Sequence, residues 1–121
     1  MQIAGESENY DTEQEHLNNV FGARLRITSL HARQGPGIEL LEYLAPRDGR
    51  PIPSDQRAND IAHWQTTLAV DRLDSLMSAA RDHRLSLVSP GPVDAGMLPT
   101  GFRSGSLAKD PDGHAVRLIV K

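Results

Sequence analysis

The stretch DIAHWQTTLAVDRLDSLMSAARDHRL, residues 60–85, reads as one strand, one tight connection and one helix. Ile61 to Val70 is rich in β-branched and aromatic residues and has no Gly or Pro, as a strand requires. Alternation sends Ile61, His63, Gln65, Thr67 and Ala69 to one face, and Ala62, Trp64, Thr66, Leu68 and Val70 to the other. Asp71 stands where an N-cap belongs, and Asp74 adds negative charge to the first helical turn. Leu73, Leu76, Met77 and Ala80 follow helical spacing and form one apolar stripe. That stripe must cover a sheet, and Leu68 and Val70 are the nearest apolar partners. The polar face with His63, Gln65 and Thr67 is left for water, a ligand or a metal.

Downstream, Leu85 to Val88 reads as a strand and the proline-rich Pro90 to Thr100 as a loop. Gly101 to Ala108 is a strand, Asp110 to Gly113 (DPDG) a turn, and His114 to Lys121 the last strand. The second half is therefore β-α-β-β-β. Upstream, Pro46 to Asn59 carries Pro46, Pro51 and Pro53 and reads as a linker. Before it, Ala23 to Ala32 and Ile38 to Leu44 form a hairpin around the turn QGPG at 34–37. Thr12 to Phe21 reads as a short helix, with Asp11 as N-cap, Leu17, Val20 and Phe21 on one side, and Gly22 as its stop. Met1 to Ala4 is at most a very short strand, and Gly5 to Tyr10 a polar loop.

The two halves repeat. GARLRITSLHARQGPGIELLEYL and GFRSGSLAKDPDGHAVRLIVK each read Gly, strand, turn, strand, and the match lays Glu39 on Arg117. On that repeat the first half lacks the opening strand and helix that the second half has. The expected organisation is one domain: residues 1–45 a shortened first module, 46–59 a linker, and 60–121 a complete module.

A chain of 121 residues is long enough for a real core. Charged residues make up 24% and the net charge is −3, so no strong attraction to nucleic acid or to an anionic membrane follows. The absence of cysteine excludes disulfides and thiolate chemistry. No apolar run approaches the ~20 residues of a membrane span. The N-terminus has no basic-then-apolar signal pattern. A cytoplasmic protein of bacterial type is the expectation.

With IELLEY at 38–43, DIAHWQTTLAVDRLD at 60–74 and DPDGHAVRLIV at 110–120, the chain resembles the vicinal oxygen chelate superfamily. That superfamily includes glyoxalase I, bleomycin-resistance proteins and extradiol dioxygenases. The resemblance covers roughly residues 20–121 and implies an α+β fold of paired βαβββ modules whose sheets curl into a cup. Metal-dependent members bind their ion there through four strand residues. Carried over, one ligand position falls on Glu39 and one on His63. The position on the final strand, usually Glu in the family, is Arg117 here. The remaining position lies on an opening strand that, on this reading, the first half lacks.

The resemblance implies two function classes. One is a small-molecule binder with no complete metal site and no cofactor. Its cup would draw on Glu39, Tyr43, His63, Trp64, Gln65, Phe102 and Arg117. The other is a metal-dependent lyase, isomerase or dioxygenase, with a divalent ion polarising vicinal oxygens and a partner chain completing the site. Arg117 favours the first, because a guanidinium repels a divalent ion, and it is expected to pair with Glu39. A homodimer is expected because a module without its opening elements leaves an edge unpaired. The blander readings are an edge charge for Glu39 and a structural histidine for His63. His16, His31, His83 and His114 read as solvated, DPDG as first of all a turn, and SPGPVDAG at 89–96 as loop.

Overall fold

A computed structural model describes residues 1–83, 85–96 and 99–121, with the side chain of Arg81 left out. The element order is β1 (Gln2–Asn9), α1 (Asp11–Asn18), β2 (Arg24–His31), β3 (Ile38–Ala45), β4 (Gln65–Ala69), α2 (Leu73–Asp82), β5 (Ser86–Leu87), β6 (Val93–Asp94), β7 (Ser104–Lys109) and β8 (Ala115–Val120). The fold is α+β, with two sheets in two compact units, Met1–Arg50 and Pro51–Lys121. Among the described residues no helix is long and apolar enough to cross a membrane.

The first sheet is antiparallel with order β1-β2-β3. The β2–β3 hairpin follows the sequence pattern, and Leu25 is its most completely buried residue. The residues ahead of β2 do not follow it. Gly5 to Tyr10 is not a loop: Gln2–Asn9 is an eight-residue strand paired with β2 from Gln2↔His31 to Asn9↔Leu25. This strand, QIAGESEN, is an exposed edge whose one large apolar residue, Ile3, is itself exposed. Its backbone ladder and the Glu8–Arg24 ion pair hold it, with no apolar alternation to announce it.

The first half thus opens on a strand and a helix, although β1 lies antiparallel beside β2. In the second sheet the opening strand β4 lies parallel beside the last strand β8. No strand among the described residues takes the corresponding place beside β3. Helix α1 ends at Asn19, a left-handed residue with φ 53°, before Gly22 is reached. Tyr10 is its cap residue and makes no side-chain cap bond; Asp11 is the first helical residue. Gln14 is the buried residue of this helix, while Leu17 and Phe21 are exposed, so the expected apolar side is not used.

The second sheet has order β4-β8-β7-β5, with β6 pairing β7. The backbone pattern β-α-β-β-β is present, with two-residue β6 added inside the loop expected over Pro90–Thr100. Met97 and Leu98 of that loop, and Arg84 beyond α2, lie outside the described residues. Strand β4 begins at Gln65, not Ile61. Ile61 is fully exposed, and His63 N–H donates to the Asp60 carbonyl at 2.9 Å in a turn. Helix α2 packs against β5 and β8 and buries Leu73, Met77 and Ala80, while Leu76 stays partly exposed. Ala108 and Leu118 are buried on one sheet face. The other face buries Ala115 and Ile119 and carries exposed Gln65, Thr67 and Ala69 at its β4 edge. The DPDG turn is closed by Gly113 at φ 95°, where a Cβ would also stand 3.2 Å from Ile52.

Candidate functional site

Register places Thr67 beside Arg117 and Leu107 across from it, all three on the open face of the second sheet. The half-buried Arg117 donates from Nε to Thr67 Oγ1 at 3.1 Å. Its guanidinium carbon lies 5.8 Å from the centre of the Phe102 ring, within cation–π range. Phe102 sits just ahead of β7. Its ring reaches Gly105, on the same face, so closely that a Cβ there would stand 3.2 Å from Phe102 Cε2. Glycine at 105 therefore lets the ring lie against the sheet. Gln65, at the start of β4, is exposed on this same face.

A second cluster occupies the β7–β8 turn. Asp110 Oδ1 accepts the backbone N–H groups of Asp112 at 3.0 Å and His114 at 2.8 Å. Asp110 Oδ2 lies 2.9 Å from His114 Nδ1. Burial alone would raise the Asp110 carboxyl. Bonds from the His114 ring and backbone, the His114 charge and the Asp112 N–H outweigh burial and hold it below its ordinary value. The exposed Trp64 ring tilts at 44° over His114, centroids 5.3 Å apart. His114 is thus a tethered residue, although sequence reading leaves it solvated. The usable signal was the i, i+4 spacing of Asp110 and His114 across a turn.

Of the remaining residues singled out from sequence, Glu39 and Tyr43 lie in the first unit. They share the β3 face that also carries Leu41, opposite Leu25, Ile27 and Ser29. Glu39 is exposed and accepts from Ser29 Oγ at 3.3 Å. Arg24 and Arg26 point to the other face, paired with Glu8 and, at 2.9 Å, with Glu42. In the second unit the structure joins Arg117 and Phe102 around Thr67, and sets Trp64 apart on His114. His63 stands in the turn before β4 rather than within a strand.

The metal implied by the family resemblance finds a poor donor set. Arg117 offers no lone pair and a positive charge, and His63 is not on a strand. Among the described residues, Asp110, Asp112 and His114 have ligand atoms within 4.8 Å of one another, and none is a family position. Both Asp110 oxygens are already engaged in the turn.

This architecture is that of the glyoxalase-type α+β fold. The crystal structure of a glyoxalase family protein from Bacillus cereus superposes with a TM-score of 0.72, over 98% of this chain and 76% of that one, at 15% identity. That likeness concerns the fold. No family model and no curated protein matches the sequence.

Proposed function

We propose that this chain is a small-molecule-binding protein of the glyoxalase, bleomycin-resistance and dioxygenase superfamily that works without the family's metal. The observation that carries this reading is Arg117. It stands where the resemblance implies a carboxylate ligand, and it is fixed by Thr67 and Phe102 on an open face. A cation, a hydroxyl and an aromatic ring grouped on such a surface are the parts of a ligand site, whereas a divalent ion there would meet a like charge. Gln65, exposed on the same face, adds a further polar group to the proposed site.

The deciding experiment is elemental analysis of the purified protein with activity assays on metal-reconstituted material. Metal well below one equivalent, with no activity gained on reconstitution, is the expected result. Stoichiometric zinc, nickel, manganese or iron would overturn the reading. It would favour instead a metal-dependent lyase, isomerase or dioxygenase whose site is completed across a homodimer. The open outer edge of β3 lends that alternative its support.

A further inference from the structure

We infer that the open face of the second sheet takes a ligand bearing a carboxylate, gripped end-on by the two Nη atoms of Arg117, whose Nε is held by Thr67 Oγ1. The flat apolar part of that ligand lies toward Phe102 and Leu107. This inference rests on the small-molecule reading above and names the chemistry of its ligand.

The argument begins with hydrogen-bond inventory. Arg117 spends Nε on Thr67 Oγ1. A guanidinium has five N–H donors, so four remain, all on the two Nη atoms. Within the second unit, and among the described residues, no carboxylate lies within ion-pair reach of them. The result is a planar fork of donors with no acceptor, its plane set by the bond from Nε to Thr67. Two coplanar oxygens of a carboxylate match such a fork and gain charge-assisted bonds.

The surroundings narrow the class. Phe102 orients the guanidinium by stacking and adds an apolar wall, and Leu107 faces Arg117 across the β7–β8 pair. Ala69, exposed at the β4 edge of this face, carries only a methyl group, so a flat group meets no long side chain there. One guanidinium suits a singly charged acid. The next cation on this face, Lys109, stands two register pairs along, opposite Ala115 and adjacent in sequence to Asp110. A phosphate dianion would call for a second cation at the fork. An aromatic or alicyclic carboxylic acid is the class that fits.

Benzoate, benzamide and phenyl phosphate separate the possibilities when titrated into the full chain under amide NMR. Benzoate is expected to bind saturably, with shifts at Thr67, Phe102 and Arg117, roughly tenfold more tightly than neutral benzamide, in line with a charged bidentate pair. Arg117→Met should abolish the preference for benzoate, Arg117→Lys should weaken it through loss of the fork, and Thr67→Val should weaken it less. Should Arg117→Met misfold, the lysine variant still decides. Benzamide binding as tightly as benzoate at these residues would overturn the carboxylate inference and leave the small-molecule reading standing. Tighter binding of phenyl phosphate would overturn the choice of carboxylate over phosphate. If no probe perturbs this face, the inference falls. If broader screening of neutral and charged small molecules is silent as well, the reading beneath it falls too.

Discussion

The Phe102 ring lies in the space that Gly105 leaves by having no side chain. A Cβ at 105 would stand 3.2 Å from Phe102 Cε2 and 3.1 Å from the Leu118 carbonyl oxygen. The carbonyl belongs to the neighbouring strand β8 and has little freedom to retreat. Gly105→Ala should therefore destabilise the protein by about 1–3 kcal/mol, the usual range for overpacking. Denaturant unfolding measures this. Repeating the substitution in a Phe102→Ala background tests the contact itself. The cost should fall there, and an unchanged cost would assign the strain to Leu118 alone.

The Asp110 turn predicts an acid-sensitive component of stability. The folded carboxyl titrates below its unfolded value, so the unfolded chain binds the proton more tightly. The stabilisation is complete above the ordinary aspartate range, roughly pH 4, and is lost as pH falls through the lower folded value. Asp110→Asn keeps the acceptor for the Asp112 and His114 N–H groups but not the charge, so it should cost under about 1 kcal/mol and flatten the acid limb. Asp110→Ala strands both N–H groups and should cost about 1–2 kcal/mol. Unfolding midpoints of the three proteins across the acid range would show it, and parallel pH curves would refute it.

The expected pair of Arg117 with Glu39 would cost on the order of 3 kcal/mol to break if it were well buried. Glu39 is exposed, and Ser29 Oγ already donates to it. An exposed carboxylate contributes at the surface scale whatever its partner, about 0–1 kcal/mol. Arg117→Ala should accordingly lower stability by only about 1 kcal/mol in urea, including the contact with Phe102. A loss near 3 kcal/mol would reinstate the buried pair.

Where the sequence speaks through apolar alternation, it is legible. Leu25 and Ile27 announce β2; Leu73, Met77 and Ala80 announce α2; DPDG announces the last hairpin. The parts held by backbone ladders and charge are not. β1 carries no apolar stripe, and Ile61 to Trp64, rich in strand formers, stays in a turn. Of the site, Arg117 was legible as a position but its partners were not. Thr67 needs the parallel β4–β8 register to become its neighbour, and Phe102 needs the empty space at Gly105. His114 was missed because an i, i+4 bond across a turn leaves no periodic trace.

The last prediction concerns assembly. A first half without its opening elements would bare Leu25, Ile27, Leu40 and Leu44. Leu25 is instead wholly buried and Ile27 and Leu44 are half-buried, but Leu40 at 54%, Leu41 at 42% and Tyr43 at 37% remain exposed. All three lie on β3, whose outer edge pairs with no strand among the described residues. In the second sheet the equivalent edge, on β8, is covered by β4 through a five-residue parallel ladder from Gln65↔Ala115 to Ala69↔Ile119. An open edge flanked by apolar side chains on both faces recruits another strand. A second copy meeting β3 would need to bury about 800 Å² per partner for a stable homodimer. Sedimentation at micromolar concentration should give twice the 13.2 kDa of one chain. Leu40→Lys with Leu41→Lys places charge on both faces of that edge and should shift the protein to the monomer while the circular dichroism spectrum stays the same. A wild-type monomer, or a dimer indifferent to both lysines, would move the interface away from β3.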